Sequence, residues 1–218
     1  MQIVEPYAKM MGVKDLAAGV ELLQKVEWAG RISHRSEDAQ TDTSWERFLR
    51  SVVLGHGDWS ITEHASVTVD AVVDRGITHE WVRHRIGAYT QESTRFVNYE
   101  KKMPPSFVMP LGLTDVQREA VRCGIERSEH WYRTLIELGA TPQIARSVFP
   151  NALASRIVTT YNLRNWRHFF LMRTTREAHP QMRQVAIPLL QEFQAKIPVL
   201  YEDIEPEAKQ SDNMKKMR

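Results

Sequence analysis

Fifteen consecutive residues in the middle of the chain, from Val82 to Phe96, concentrate side chains that bind anions and exchange protons. The stretch opens with Arg83-His84-Arg85, passes through Gly87 and ends in Gln91-Glu92-Ser93-Thr94-Arg95-Phe96. Arginine offers a planar fork of donors that matches a phosphate or a carboxylate. Gly87 lets backbone amides approach such a group closely, and Ser93 and Arg95 add donors. The stretch therefore predicts an anion-binding site.

The triplet Arg83-His84-Arg85 is also compatible with a solvated basic end of a helix. Successive residues of a helix point about 100° apart, so three neighbours on a regular helix cannot all reach one ligand. They lie at a helix end or contact different partners, including partners across a subunit boundary. A zinc helix is not predicted, because His79 and His84 are one residue too far apart for the His-Glu-x-x-His pattern.

Arginine dominates the positive charge around this stretch. Twenty of the 29 basic residues are Arg, and the segment from Arg75 to Arg183 contains 15 Arg but only two Lys, Lys101 and Lys102. Some of these arginines are expected to form surface ion pairs. The whole chain has a formal charge of only +2, so it is not a polycation. The excess of arginine indicates a region that handles anions.

Length and composition predict one domain with a sizeable core. The chain has 218 residues, of which 42% are hydrophobic, and its single cysteine, Cys123, allows no intramolecular disulfide. No apolar run approaches the length of a membrane helix, and a cytoplasmic location is expected. We predict a folded domain over residues 1–201 and a polar, disordered tail over residues 202–218.

Hydrophobic periodicity predicts the scaffold that must position these residues. Strands are predicted over residues 1–10, Ser66–Val73 and Ser155–Tyr161. Helices are predicted over Asp15–Ala29, Ser44–Leu54, Thr114–Leu138, a short stretch from Pro142, Asn165–Thr174 and Pro180–Lys196. Thr78 is predicted to cap a short helix that carries the triplet, and residues 101–112 form a Pro-rich connection. The expected fold is α+β, with a mixed or antiparallel sheet flanked by helices in a single domain.

The triplet followed after seven residues by Ser93 resembles the signature of the flavin-dependent thymidylate synthases. Those enzymes convert dUMP to dTMP with methylene-tetrahydrofolate, FAD and NADPH. Arg146, Asn162 and Arg173 agree with later family elements in the same order, and the resemblance covers roughly Ala29 to Gln184. It implies a homotetramer whose sites combine residues of several subunits.

The resemblance also implies roles for individual residues. The residues implied to contact FAD are Ser60, Arg83, His84, Arg85, Gln91, Asn162, Arg164, His168 and His179. The residues implied to contact dUMP are Glu80, Arg83, Gln91, Glu92, Ser93, Thr94, Arg95, Arg146 and Arg173. Arg173 is the catalytic candidate, because a fixed guanidinium can stabilise the uracil ring as its anion. His168, Phe96, Glu80 and Gln91 depart from residues that the family often has at these positions.

A different class of function is a module that binds single-stranded nucleic acid. Arg164 and Arg167 alternate with Trp166 and Phe169, and stacking aromatics beside arginines suit such ligands. The nearly balanced charge and the lack of a recognised binding motif argue against it. A helical scaffold without chemistry leaves the arginine excess unexplained. We therefore expect an enzyme whose partners are dUMP, a folate and further copies of itself, without a metal, nucleic acid or membrane.

Overall fold

The computed structural model describes residues 1–99 and 103–216, which form an α+β fold. The strands are β1 (Gln2–Ile3), β2 (Tyr7–Met11), β3 (Ser66–Asp74), β4 (Ala88–Gln91), β5 (Ser106–Phe107) and β6 (Ala154–Asn162). The helices are α1 (Leu16–Ile32), α2 (Ser44–Leu49), α3 (Arg75–Trp81), α4 (Asp115–Glu137), α5 (Pro142–Ala145), α6 (Leu163–Arg173), α7 (Pro180–Lys196) and α8 (Gln210–Lys215). In these described residues, none of the helices is long and apolar enough to cross a membrane.

A four-stranded sheet with the order β2-β3-β6-β4 organises the fold, and β1 pairs with β5 in parallel. The two central strands, β3 and β6, run antiparallel. The hydroxyls of Thr68 and Thr160 are 2.8 Å apart, and the Arg75 amide donates to the Leu153 carbonyl at 3.0 Å. Rising numbers on β3 thus face falling numbers on β6. The predicted sheet flanked by helices is confirmed.

The chain divides into two compact units. Unit 1 contains Met1–Tyr7, Ala71–Arg83 and Tyr89–Val158, and unit 2 contains Ala8–Asp70, His84–Ala88 and Thr159–Arg218. The units are not consecutive along the chain, because β3 and β6 each begin in one unit and end in the other. The predicted site residues therefore fall into two groups, which are described separately below.

An aromatic core fixes α6 within unit 2. Trp166 and Phe170 are fully buried with Phe193 and Tyr201, and their rings contact one another with centroids 4.9–5.8 Å apart. The indole nitrogen of Trp166 also donates to the Val67 carbonyl on β3 at 2.9 Å. A buried aromatic side chain with a satisfied polar end has one well-defined orientation. These contacts hold α6 in place within unit 2.

In unit 1, α4 and the loop before β6 support the segment that follows β4. Thr114 caps α4 in a reciprocal capping box with Gln117, as expected for Thr and Gln three residues apart. The buried Tyr132 of α4 stacks on Phe149 with a centroid distance of 4.6 Å and meets Tyr99 edge-on at 5.9 Å. The aromatic cluster anchors residue 99 and hence the segment between β4 and that residue.

The local structure around the triplet differs from the prediction. Asp74, not Thr78, caps α3: its carboxylate accepts from the Ile77 amide at 3.0 Å. Asp74 is the last residue of β3 and has an extended conformation, and a carboxylate there satisfies the first free amides of the helix. Helix α3 ends at Trp81, so the triplet lies beyond the helix and is followed by β4, which was not predicted.

The other predicted boundaries of helices and strands differ less from the structure. Asp15 caps α1 as predicted, and its carboxylate accepts from the Ala18 amide at 3.0 Å. Helix α2 ends at Leu49 and continues as a π-helical segment, Arg50–Gly55. The predicted disordered tail contains α8, and its last two residues lie outside the described residues. Lys101 and Lys102 of the Pro-rich connection lie outside them too, and β5 forms within that connection.

Candidate active site

In unit 1, Gln91 joins three elements at the end of β4. Its side-chain amide nitrogen donates to the hydroxyls of Thr78 on α3 and Ser155 on β6, both at 3.0 Å. An amide nitrogen has two hydrogens, so both are used within the protein. The family resemblance implies that Gln91 contacts a ligand, and that role stays a prediction. In the structure, its two hydrogen bonds fix the start of the polar segment 91–95.

Glu92 is held by a buried tyrosine. The Tyr99 hydroxyl donates to the Glu92 carboxylate at 2.8 Å, and the Glu92 amide donates to the Arg156 carbonyl at 2.8 Å. Burial, followed by the charge of Glu92, raises the pKa of the Tyr99 hydroxyl well above its ordinary value. Tyr99 therefore remains a protonated donor at any working pH, and Glu92 is fixed at both its backbone and its side chain.

Arg146 lies beside the same segment, in a small cleft. Its guanidinium donates to the Thr94 hydroxyl at 3.0 Å, and Thr94 is buried. The cleft has a volume of about 200 Å³ and is lined by Arg75, Thr94, Arg146, Ser147, Phe149, Pro150, Asn151 and Leu153. We call it the arginine cleft. Two guanidinium groups with hydroxyl and amide neighbours form a donor set suited to a phosphate.

Ser93 and Arg95 form a tight turn next to that cleft. The Ser93 hydroxyl accepts from the Arg95 amide at 3.3 Å, and its carbonyl accepts from the amides of Phe96 and Val97. The Arg95 guanidinium lies 5.1 Å from the centroid of the exposed Phe96 ring. The sequence predicted Ser93, Thr94, Arg95 and Arg146 to bind one ligand. The structure places Thr94 and Arg146 in direct contact and Ser93 and Arg95 in the adjoining turn.

Unit 2 contains a cavity of about 320 Å³ next to α6. It is lined by Trp59, Arg85, Arg164, Asn165, Arg167, His168, Leu171 and Lys216. We call it the α6 cavity. Arg85, Arg164 and His168 were predicted to contact a flavin cofactor, and the structure brings these three together. Arg164 and His168 are one helical turn apart, as residues that share a helix face should be.

Hydrogen bonds to loop 84–88 shape one wall of the α6 cavity. The side-chain amide of Asn165 donates to the Ile86 carbonyl at 2.6 Å. Asn162 caps α6, and its side-chain oxygen accepts from the backbone amide of Asn165 at 2.8 Å. The family-implied role of Asn162 at the flavin stays a prediction, while its capping role is direct. Asn165 was missed by the sequence reading, although it lies in the same Asn-x-Arg segment.

Arg167 forms the buried side of the α6 cavity and was also missed. Only 4% of it is exposed. Its guanidinium makes two bonds of 2.7 Å to the Asp203 carboxylate and one of 2.7 Å to the Leu200 carbonyl. It also lies 4.4 Å from the centre of the Trp59 ring. The paired carboxylate compensates for the solvation that the guanidinium loses on burial.

His84 and Arg173, two predicted site residues in unit 2, are in direct contact. The Nε–H of Arg173 donates to Nε2 of His84 at 2.7 Å, although the two residues are 89 positions apart in sequence. The His84 ring also lies 5.5 Å from the ring of His168, measured between centroids. Burial, followed by the charges of Arg173 and His168, lowers the pKa of His84 from 6.5 to about 3. His84 is therefore a neutral acceptor.

This shift makes the stability of the protein depend on pH. The folded-state pKa of His84 lies below its unfolded value, so acidification protonates the unfolded chain first. The stabilising contribution is complete above about pH 6.5 and is lost as the pH falls toward 3. We expect the free energy of unfolding to fall by up to about 1.4 kcal/mol per pH unit in that window. The pKa of His168 is lowered in the same direction, by burial and then by Arg173.

Chemical denaturation at pH 5.0 and pH 7.5 checks this expectation. The variant His84→Gln lacks the titrating group and should have a smaller difference between the two pH values than the wild type. An equal pH dependence in both proteins would show that His84 is not responsible.

The other predicted site residues are distributed over several elements. His179 caps α7, and its Nδ1 accepts from the Gln181 amide at 3.2 Å. Ser60 is exposed in the 3₁₀ segment Trp59–His64. Glu80 and Arg83 belong to unit 1, at and just beyond the end of α3. Their ligand roles stay predictions. In the described parts of the chain, no group of three His, Cys, Asp or Glu side chains could hold a metal ion.

The aromatic and arginine residues of α6 do not form a surface for nucleic-acid bases. Trp166 and Phe169 are fully buried, and Arg167 is almost so. Arg164 pairs with Glu63 at 2.6 Å. Bases stack on aromatic faces that are open to solvent, and these faces are inside the protein. The alternation of aromatic and arginine residues that suggested a nucleic-acid module therefore reflects packing of α6 in the protein core.

Comparisons with known proteins agree with the motif. The family model described as thymidylate synthase complementing protein matches residues 19–199. A flavin-dependent thymidylate synthase of Mycobacteroides abscessus is 35% identical over 199 residues, covering 83% of this chain and 78% of the relative. One of Pyrococcus furiosus is 33% identical over 190 residues, covering 78% of this chain and 74% of the relative.

A solved structure shows the same fold at lower identity. It is the UMP/dUMP methylase PolB of Streptomyces cacaoi bound with 5-Br dUMP, with a TM-score of 0.75 and 23% identity. The match covers 93% of this chain and 96% of that one. Since the family model matches most of the chain and curated relatives exceed 30% identity, the chain belongs to the thymidylate synthase complementing protein family, the family of the flavin-dependent thymidylate synthases.

Proposed function

We propose that this chain is a methyltransferase that converts dUMP to dTMP by flavin-dependent reductive methylation. The observation that carries the proposal is the donor set of the α6 cavity. Arg85 and Arg164 line it with His168, and the His168 ring lies beside the His84 ring that holds Arg173. The two arginines that would bind an anionic cofactor thus lie near the guanidinium of Arg173, which would bind the substrate anion.

The residues of the α6 cavity fit a flavin dinucleotide. Two arginines supply donors for a pyrophosphate, and Trp59 and Leu171 supply apolar surface for a ring. Arg85, Arg164 and His168 would hold the cofactor, with Asn165 fixing the loop that carries Arg85. When bound, FAD reduced by NADPH supplies the hydride that completes the methyl group, and methylene-tetrahydrofolate supplies the carbon. The protein itself binds, orients and stabilises charge.

Arg173 is the proposed catalytic residue. Transfer of a carbon to position five of uracil requires electron density at that position. A guanidinium held against the ring stabilises the deprotonated, anionic form of uracil and so raises that density. The bond from Arg173 to His84 fixes where the guanidinium lies. Since electrostatic stabilisation does this work, a cysteine nucleophile is unnecessary.

The arginine cleft of unit 1 is the proposed binding site for the phosphate of dUMP. Arg146 and Arg75 are its cations, and Thr94 orients Arg146. Ser93 and Arg95 supply donors in the adjoining turn. A hydrogen bond between charged partners contributes about 1.5–3 kcal/mol, so each arginine should have a measurable effect on affinity.

Arg146→Gln is expected to raise the KM for dUMP about 10- to 100-fold while changing kcat little, because it removes a charged contact to the non-reacting phosphate. Steady-state kinetics at varied dUMP concentration measure both constants. Arg127→Gln, an equal change of charge on the exposed face of α4, is the matched control and should leave KM unchanged. A normal KM in the Arg146 variant would place the phosphate elsewhere.

The resemblance supports three further proposals. The protein is a homotetramer whose sites combine residues of several subunits, it uses NADPH and a folate as co-substrates, and it acts in the cytoplasm. Sedimentation equilibrium tests the first, with a mass of four 25.3 kDa chains expected. Omitting NADPH or the folate from a turnover assay tests the second.

Absorbance spectroscopy tests the function most simply. We expect the purified protein to bind FAD with a shifted visible spectrum, and the spectrum to change again when dUMP is added. Arg164→Ala should weaken FAD binding, whereas Arg127→Ala should not. Affinity for oligonucleotides with a steep salt dependence, in a protein that binds no flavin, would instead support a nucleic-acid module.

A further inference from the structure

The middle residue of the Arg-His-Arg triplet points into the protein. Only 7% of His84 is exposed, whereas Arg85 lines the α6 cavity. The imidazole packs edge-on against the fully buried Phe169, with centroids 5.0 Å apart and planes at 62°. The ring of His168 approaches it at 5.5 Å. A ring packed in this way has a fixed plane, so its nitrogens have fixed directions.

The contact of that ring with Arg173 uses a particular pair of atoms. Nε of arginine has one hydrogen, and this hydrogen is donated to Nε2 of His84 at 2.7 Å. The remaining guanidinium hydrogens are on the two terminal nitrogens. Since Arg173 is the last residue of α6, its long side chain needs a contact near its end to hold the guanidinium in one plane.

We propose that His84 is a positioning residue for Arg173, and that its Nε2 sets the plane in which the guanidinium meets the uracil ring. This inference rests on the proposed function. It departs from the flavin contact that the sequence suggested for His84. It also explains how three adjacent residues serve different purposes: Arg85 lines the α6 cavity, while His84 orients the catalytic side chain.

The protonation state of His84 agrees with this role. To accept from Arg173, the ring must be neutral with its hydrogen on Nδ1. Burial, followed by Arg173 and His168 on α6, lowers the pKa of His84 to about 3. The acceptor is therefore present over the whole pH range in which the enzyme would work.

Two amide substitutions at position 84 test the proposal as a matched pair. The amide oxygen of Gln reaches about as far as Nε2 of histidine, whereas that of Asn reaches only as far as Nδ1. His84→Gln should therefore retain most of the wild-type kcat. His84→Asn should lower kcat by about 100-fold, the effect of moving a reacting group by about 1 Å. Both variants should bind FAD with the wild-type Kd, measured by flavin fluorescence, and should melt at similar temperatures.

A double-mutant cycle separates orientation of Arg173 from other effects. Dissociation constants for dUMP are measured by calorimetry for wild type, His84→Asn, Arg173→Ala and the double variant. If His84 acts through Arg173, His84→Asn weakens dUMP binding in the wild type and has no further effect in Arg173→Ala. Additive losses overturn the proposal. So do equal kcat values for the Gln and Asn variants, or a loss of FAD binding in His84→Asn alone.

Failure of the proposed function gives a different result. A wild-type protein that binds dUMP but forms no dTMP refutes the reaction, while the calorimetric cycle still decides whether His84 orients Arg173. A wild-type protein that neither binds dUMP nor forms dTMP refutes both.

Discussion

Replacing Arg173 with alanine is expected to lower the rate of dTMP formation about 100- to 1000-fold, the usual cost of removing one group that stabilises developing charge. The residue lies at the end of α6, and its Nε is held by His84 at 2.7 Å. A charge fixed before the reaction stabilises the uracil anion without reorganisation. FAD binding should be retained, because the residues that line the α6 cavity are unchanged.

Two control variants define what this loss means. Arg176→Ala removes another arginine three residues further on, one that donates to the Glu207 carbonyl, and should keep full turnover. Cys123→Ala should also keep it, since the thiol is on α4 beside Glu119. Wild-type turnover in Arg173→Ala would remove Arg173 from the chemistry. Loss of turnover in a folded Cys123→Ala would indicate a cysteine nucleophile.

Replacing Gly87 with alanine is expected to abolish FAD binding and turnover together. A Cβ at this position would lie 2.2 Å from Cε1 of Tyr161 and 3.2 Å from the Thr160 carbonyl oxygen. Tyr161 is fully buried and cannot move aside, so loop 84–88 must shift. Such overpacking costs about 1–3 kcal/mol. The shift of the loop displaces Arg85 from the α6 cavity and His84 from its contact with Arg173. Flavin binding and turnover should therefore be lost together.

Gly124→Ala is the matched control for this substitution. It adds the same methyl group within α4, where a Cβ would have no neighbour within 4 Å. It should raise stability by about 0.5–1 kcal/mol, the difference in helix preference between Gly and Ala, and leave activity unchanged. Flavin fluorescence and thermal melting follow both variants. A Gly87→Ala protein that binds FAD normally would show that the close approach to Tyr161 does not fix the loop.

The elements with local signals could be predicted from the sequence, and the others could not. Helix α4 has its capping box at Thr114 and Gln117 and an apolar stripe, all within one segment. Strand β4 has only four residues and forms because β6 pairs with it. Thr78 was predicted to cap α3, but the helix begins earlier, at Arg75 directly after β3, and Asp74 caps it at that junction.

The sequence indicated which residue types the candidate site would contain, but not which of these residues contact one another. The resemblance implies that His84 contacts FAD and that Arg173 contacts dUMP, and both ligand roles stay predictions. The direct contact between the two residues could not be predicted, because a contact across 89 positions leaves no mark in one sequence. From the sequence, Arg167 was considered only in the alternative of a nucleic-acid module, as an arginine interleaved with aromatic residues. Its burial depends on Asp203, which supplies a compensating carboxylate from 36 residues away. Long-range partners decide whether an arginine binds a ligand or the protein.

An anaerobic turnover assay is the most direct test of whether the protein forms dTMP in a flavin-dependent reaction. Purified protein is mixed with FAD, NADPH, methylene-tetrahydrofolate and dUMP, and dTMP is followed by chromatography as each component is omitted in turn. We expect dTMP to form in the complete mixture, not to form without flavin, and to be nearly absent with Arg173→Ala. Formation of dTMP at the same rate without flavin, or no dTMP from a protein with FAD bound and NADPH oxidised, would contradict this expectation.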